Sequence, residues 1–150
     1  MDILNPITSF ECLRKIIKGS SCEVSDWGRL LWYPRLSTLV YRVKLHYLEE
    51  LSNLLPSDGT LWQDLYSLNT FPLNFMLGEI DLQNRGRCLA AFALVSFILD
   101  RWDCTDVDYK LDLLIAPLWQ RIIKEKMKNS GCMLLCSSTC EKDLYLLDQD

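Results

Sequence analysis

The stretch DLQNRGRCLAAFALVSFILD, residues 81–100, decides the fold of this chain. From residue 88 to residue 99 every side chain is apolar or small except Ser96, and charge returns only at Asp100. A helix that is apolar on all faces is buried on all faces. The run is too short to cross a bilayer, which takes about 20 residues. It therefore predicts the central helix, at about residues 84–100, of an all-α, single-domain bundle.

The entrance to this helix carries an unusual charge pattern. Asn84 suits an N-cap, and Arg85 and Arg87 follow in the first turn, where the helix dipole disfavours cations. Gly86 lies between them and allows another backbone to approach closely. Free N–H groups beside two guanidiniums suit a carboxylate ligand. The alternative is that both arginines are solvated or pair with the acidic side chains that precede the helix.

Hydrophobic spacing predicts helices around this core, at residues 7–18, 27–32, 37–55, from about 60, and 107–128. The helix at 37–55 is expected to bury Leu36, Val40, Val43, Tyr47, Leu51 and Leu54. Its polar side is expected to carry Arg42, Lys44, His46, Glu49 and Glu50. The last helix should bury Leu111, Leu114, Ile115, Leu118 and Ile122, and Pro117 should kink it.

Two segments are less regular. Residues 69–82 are rich in large apolar groups but are interrupted by Pro72 and Gly78. They either pack onto the core as a loop or short helix, or form the wall of an apolar groove.

The helical domain is predicted to span residues 1–128, and residues 129–150 to form a poorly ordered tail.

Composition limits the classes of function. The chain has 150 residues, 49% of them hydrophobic, and a net charge of −4, which gives no electrostatic case for nucleic acid. Seven cysteines without paired spacing favour a reduced, intracellular protein over a disulfide framework. Neither a signal peptide nor a membrane span is expected. A basic cluster at residues 121–128 suits the end of a helix, with weak attraction to anionic lipid as the alternative.

Catalytic and metal-binding motifs are missing from the sequence. It has no phosphate-binding glycine-rich loop, zinc-ligand pair or nucleophile elbow, and its one histidine, His46, is expected at the surface. An enzyme is therefore not expected, and no cofactor or metal is needed. Free thiols are the default for three cysteines near the end of the chain, with lipid attachment as the alternative. These are Cys132, Cys136 and Cys140.

Several stretches taken together resemble a viral family. They are FECL at residues 10–13, LLW at 30–32, the run 39–47, GRCLAAFALVSFILDRW at 86–102 and YKLDLLIAPLW at 109–119. In this order they resemble the small T-antigen of adenovirus early region 1B, the nineteen-kilodalton protein, over about residues 10–125. That family inhibits apoptosis and is functionally similar to cellular Bcl-2 proteins. The resemblance implies a Bcl-2-like helical bundle.

A narrower resemblance concerns the helix entrance. Asn84–Arg85–Gly86–Arg87 resembles the Asn–Trp–Gly–Arg motif that opens the central helix of Bcl-2 proteins. There the arginine pairs with an aspartate on the BH3 helix of a partner. Asn84, Gly86 and Arg87 match the motif, whereas Arg85 replaces the tryptophan. The resemblance therefore implies that Arg87 receives the acidic residue of a partner helix.

The resemblance implies a groove that holds the apolar face of a BH3 helix. Its predicted residues, for each of which core packing is the alternative, are Asn84, Gly86, Arg87, Leu89, Ala90, Leu94, Tyr47, Leu51, Leu61, Leu65, Phe75, Met76 and Leu77. The implied partners are host Bak, Bax and BH3-only proteins. The implied location is the host cytoplasm, mitochondrial outer membrane, other host membranes and nuclear envelope. A non-catalytic adaptor that binds host proteins outside the groove stays open, as does a cysteine-dependent enzyme.

Overall fold

The computed structural model describes residues 3–102 and 107–130. This part of the chain forms eight helices and no strand, which confirms the predicted all-α bundle. The helices are α1 (Phe10–Gly19), α2 (Asp26–Trp32), α3 (Arg35–His46), α4 (Leu48–Leu54), α5 (Thr60–Tyr66), α6 (Phe71–Gly78), α7 (Arg85–Arg101) and α8 (Val107–Ser130). Residues 131–150, which hold nearly all of the predicted tail and Cys132, Cys136 and Cys140, lie outside the described residues.

Helix α7 is the centre of the bundle, as its composition predicts. It packs against α1, α3 and α8, and most extensively against α3. Every residue from Cys88 to Leu99 is buried except Ala90, which is exposed. The all-apolar run is therefore surrounded by other helices along its whole length, with one opening at Ala90.

Helix α8 closes the bundle on one side. The five apolar residues of its predicted stripe, Leu111 to Ile122, are all buried, and the helix continues through Pro117. Arg14 of α1 ties the two helices together, because its guanidinium bonds Asp108 and Asp112, each at 2.8 Å. These carboxylates raise the pKa of Arg14, so the guanidinium stays charged.

Helix α1 begins later than predicted. Its N-cap is Ser9, whose hydroxyl accepts a hydrogen bond from the Cys12 N–H, and Ile7 is buried in the segment before the helix. The end at Gly19 agrees with the sequence. A Cβ at Gly19 would lie 2.6 Å from both the Tyr33 ring and Ser37 Oγ, so close packing of the α2–α3 connection requires glycine here.

The single helix predicted at 37–55 is wrong, and so is the exposed position predicted for Lys44. The helix breaks at Tyr47 (φ −105°, ψ 21°) into α3 and α4. In α3 the residues buried against the core are Ser37, Val40 and Lys44, which share one helical face. Lys44 is only 2% exposed, because α1 and α7 supply oxygen partners for its ammonium group.

Helix α2 buries a charged side chain and exposes its apolar ones, which is the reverse of an ordinary surface helix. Arg29 is buried, with Nε 2.7 Å from the Gly19 carbonyl oxygen and its guanidinium 3.6 Å above the Tyr41 ring. Its Nη2 donates to the carbonyls of both Ser21 and Val24 at 2.8 Å, and its Nη1 donates to the Asp26 carboxylate at 2.9 Å. Because the arginine points inward, the apolar side chains point outward, and these are Trp27, Leu30, Leu31 and Trp32.

The irregular stretch at residues 69–82 contains the short helix α6. Leu73 and Leu77 face the core, whereas Phe71 and Phe75 are exposed. The end of this segment is held by α8, since the Arg121 guanidinium donates to the Ile80 carbonyl at 2.7 Å.

Candidate functional site

A groove of about 450 Å³ lies between the α3–α4 corner and the first turns of α7. Because the chain breaks at Tyr47, residues of both α3 and α4 reach the same wall. The opposite side is formed by the Asn84 cap and the face of α7 that holds the exposed Ala90. The lining residues are Val43, Tyr47, Glu50, Leu51, Leu54, Asn84, Gly86, Arg87, Ala90 and Ala93.

The α7 entrance has the predicted cap. Asn84 Oδ1 accepts a hydrogen bond from the Arg87 N–H at 3.1 Å, and the Cys88 N–H bonds the Asn84 carbonyl at 2.8 Å. The cap satisfies one backbone N–H of the first turn and fixes where the Arg87 side chain leaves the helix.

The two arginines of this turn serve different surfaces. Arg87 lines the groove, whereas Arg85 lines another pocket. Both side chains are exposed, and neither forms an ion pair within residues 3–102 and 107–130. Of the alternative given for these arginines, pairing with the preceding acids Glu79 and Asp81 is therefore wrong, whereas solvation of both side chains agrees with the structure. Arg87 is left as a cation at the edge of an apolar groove.

Gly86 has open space around it. The close approach of another backbone, which its small size allows, is not observed, because a Cβ there would meet only Asn84 Oδ1, at 3.4 Å. Gly86, Ala90 and Ala93 lie at i, i+4 and i+7, so they form a strip of small groups along α7, with Arg87 beside it. A bulky ligand can therefore approach the α7 backbone closely.

Six of the thirteen predicted residues line this groove, namely Tyr47, Leu51, Asn84, Gly86, Arg87 and Ala90. The other seven lie elsewhere. Leu61, Leu65, Leu77, Leu89 and Leu94 are buried in the core, Met76 packs partly against it, and Phe75 is exposed on α6. For those five leucines the structure therefore agrees with the alternative that they pack in the core.

Sequence reasoning missed four groove residues, which are Val43, Glu50, Leu54 and Ala93. Ala93 could have been found from its spacing to Gly86 and Ala90. Leu54 and Glu50 could not, because their positions depend on the change of direction at Tyr47. Leu54 is 64% exposed, so this wall presents a large apolar group to solvent.

Comparison with known proteins decides the family. The sequence profile described as "Adenovirus E1B 19K protein / small t-antigen" matches residues 1–130. The chain belongs to this family. It is 32% identical to the E1B small T-antigen of human adenovirus C serotype 2 over 143 residues, covering 92% of this chain and 79% of that one. The small T-antigen of canine adenovirus serotype 1 (strain Glaxo) is 32% identical over 126 residues, covering 81% and 74%. No solved structure matches the chain.

Membership of the E1B small T-antigen family identifies an adenoviral early protein, and this family is not known as one of enzymes. Three thiols are described, those of Cys12, Cys22 and Cys88. Cys22 is exposed, but desolvation of its thiol by neighbouring atoms, together with the Asp100 carboxylate, raises its pKa and makes it a poorer nucleophile at neutral pH. Where side chains are described, no three His, Cys, Asp or Glu residues form a metal-binding group.

Two features of the described residues bear on contact with membranes, namely helix length and the basic cluster on α8. None of the described helices is long and apolar enough to cross a membrane. Of the predicted basic cluster on α8, Arg121 and Lys126 bond backbone carbonyls, of Ile80 and Ile7 respectively. Lys124 and Lys128 are exposed, so only part of that cluster is available to an anionic surface.

Proposed function

We propose that this protein inhibits apoptosis of the host cell by binding BH3 helices of pro-apoptotic Bcl-2 proteins of the Bak and Bax class. The observation that carries the proposal is the position of Arg87. It is an exposed cation, without an ion pair among the described residues, at the edge of an apolar groove. The family relationship to the E1B small T-antigens supports a viral protein that acts on host proteins.

The groove has the chemistry that an amphipathic helix requires. A BH3 helix offers apolar anchors at i, i+3 or i+4, and i+7, which need an apolar wall and a floor without bulky groups. Tyr47, Leu51 and Leu54 form such a wall, and Ala90 and Ala93 form the floor. The buried anchors supply most of the affinity in contacts of this kind.

Charge at the two sides of the groove sets the register. Arg87 is the partner for the acidic residue of the bound helix, and a charge-assisted hydrogen bond there selects orientation more than it adds affinity. Glu50 lies on the opposite wall and is available to a basic residue of the same helix. A ligand with one acid and one base on its polar side therefore complements the groove.

Binding would keep Bak and Bax from forming oligomers at the mitochondrial outer membrane. The protein acts by sequestration, so it needs neither catalysis nor a cofactor. Its place of action is the host cytoplasm and host membranes, including the mitochondrial outer membrane and the nuclear envelope. Lys124 and Lys128 are the exposed cations of α8 that favour a peripheral contact.

Titration with a panel of fluorescent BH3 peptides tests the proposal. Fluorescence anisotropy should show saturable binding, and a peptide whose conserved aspartate is changed to lysine should bind more weakly. The matched control is a peptide of the same composition in scrambled order, which should not saturate. Failure of every peptide to bind at high micromolar concentration would refute the groove proposal.

One observation favours the alternative of an adaptor that binds host proteins outside the groove. Trp27 and Trp32 on α2 are 73% and 80% exposed, and two leucines lie beside them. Exposed aromatic and aliphatic clusters are typical of protein contact sites. If Trp27→Ser/Trp32→Ser abolished protection of cells from death while peptide titrations were unchanged, the adaptor function would be favoured over the groove.

A further inference from the structure

A second pocket, which shares no residue with the groove, lies where four segments of the chain meet. Its volume is about 480 Å³. Residues Ile3 and Pro6 precede α1, Ile16 belongs to α1, and Leu36 and Leu39 belong to the start of α3. The lining is almost wholly apolar. This volume lies within the range of small-molecule sites, about 300–1,000 Å³.

Part of the wall of this pocket is fixed by contacts within the chain. The Cys12 thiol donates to the Pro6 carbonyl oxygen, with the sulfur and oxygen 3.4 Å apart. Ile3 and Ile16 are buried in the hydrophobic core, so their positions are set by packing. A pocket of this volume, with walls held in place, suits one hydrocarbon chain of a small molecule.

The only charged residues of the pocket are two arginines. Arg35 and Arg85 are both exposed, and no carboxylate lines the pocket. Neither guanidinium forms an ion pair in the part of the chain that the structure describes. Each residue also opens its helix, α3 or α7, where the dipole disfavours a cation. An anion bound between them would relieve this unfavourable charge.

We infer that this pocket binds a single-chain amphiphile with a carboxylate head, the class of the fatty acids. The hydrocarbon chain lies against Leu36, Leu39 and Ile16, and the carboxylate lies between Arg35 and Arg85. The apolar lining excludes a ligand that is charged along its length, and the two cations select an anionic head over a neutral one. This site is independent of the groove at Arg87.

Dodecanoate, below its aggregation concentration, is the probe. Isothermal titration calorimetry should show saturable binding to the full chain at a stoichiometry of one. Alkylation by iodoacetamide, followed by mass spectrometry of the peptides, locates the ligand. Bound dodecanoate should slow alkylation of Cys12, which lines the pocket, and leave the rate at exposed Cys22, which does not.

Variants test the role of the charged head. Arg35→Gln/Arg85→Gln should weaken dodecanoate binding about tenfold or more, the effect of losing charge-assisted hydrogen bonds. Arg42→Gln is the matched control, because Arg42 is exposed on α3 and lines neither cavity, and it should bind like the wild type. Dodecanol has the same chain without the charge and should bind as weakly as dodecanoate binds the double variant.

Several results would overturn the inference. Equal slowing at Cys12 and Cys22 would indicate nonspecific adsorption, and equal affinity for dodecanol would remove the need for an anion. Loss of dodecanoate binding in Arg87→Gln would move the ligand to the groove. Protection of Cys12 by higher protein concentration alone, without dodecanoate, would assign the pocket to a second copy of the chain.

Discussion

Lys44 on α3 and Asp100 on α7 form an ion pair that is almost completely buried, with side chains 2% and 8% exposed. The Lys44 ammonium also donates to the Ser20 carbonyl at 2.6 Å and to Ser96 Oγ at 3.0 Å. All three of its donors are therefore used. Asp100 in turn accepts from the Ser21 hydroxyl at 2.9 Å, so this cluster joins α1, α3 and α7 at one point.

Lys44→Met should destabilise the fold strongly. The variant keeps the aliphatic packing but leaves the Asp100 carboxylate buried without its cation, and breaking a buried pair costs about 3–5 kcal/mol. Urea unfolding measures the difference. Lys15→Met, at an exposed lysine of α1, is the control and should change stability by less than about 0.5 kcal/mol. Equal unfolding free energies for the two variants would show that the pair is not important for stability.

Gly19→Ala should also destabilise the protein, by about 1–3 kcal/mol, as overpacking does. The new Cβ would lie 2.6 Å from the Tyr33 ring and from Ser37 Oγ, so the α2–α3 connection must shift. Gly78→Ala is the matched control, because a Cβ there meets nothing within 4 Å. Thermal unfolding of both variants distinguishes a packing effect, seen only at Gly19, from a general effect of removing glycine.

Asn84→Ala should remove the α7 cap and cost about 1 kcal/mol of stability. It should weaken BH3-peptide binding as well, since the cap holds the turn that carries Arg87. Asn84→Ser keeps a hydroxyl that can accept the same N–H bond, so it should restore both properties. Chemical unfolding and peptide anisotropy measure the two effects. If Asn84→Ala bound the peptide with full affinity, the cap would not be needed for peptide binding.

Ala90→Trp should block the groove without unfolding the protein. Ala90 is the exposed position in the otherwise buried run of α7, so an indole there would occupy the space of the ligand. Peptide affinity should fall more than about tenfold, because the ligand would clash with the ring. Gln120→Trp, at an exposed position of α8, should bind peptide normally. Unchanged binding in Ala90→Trp would place the ligand elsewhere.

Helices α7 and α8 could be predicted from their hydrophobic patterns, whereas the break at Tyr47 could not. The α7 run and the α8 stripe are long, so their burial follows from the pattern alone, and the Asn84 cap is a local interaction within four residues. These predictions needed no knowledge of distant partners.

Polar residues that point inward could not be predicted in this way. Lys44 is buried because Ser20, Ser96 and Asp100, which are distant in sequence, bring oxygens to its ammonium. Arg29 is buried because the carbonyls at the end of α1 turn toward it. Each case depends on tertiary contacts, which periodicity does not contain.

Only one side of the candidate groove could be predicted, because the other side depends on tertiary structure. The α7 side followed from the Asn84–Arg87 motif, but the opposite wall depends on the break at Tyr47. Leu65 and Leu77 illustrate the limit, because an apolar residue at helical spacing suits a core and a groove equally well.

The most direct test is a charge exchange between Arg87 and the conserved aspartate of a BH3 peptide, followed by anisotropy titration. Arg87→Glu should weaken binding of the natural peptide by about 1–3 kcal/mol, since a charge-assisted contact becomes a repulsion. Arg85→Glu adds the same charge two residues away but lines the other pocket, and should bind nearly as the wild type does. A peptide with arginine in place of that aspartate should regain affinity for Arg87→Glu. Equal binding of the natural peptide by wild type and Arg87→Glu, with no rescue by the exchanged peptide, would contradict the account.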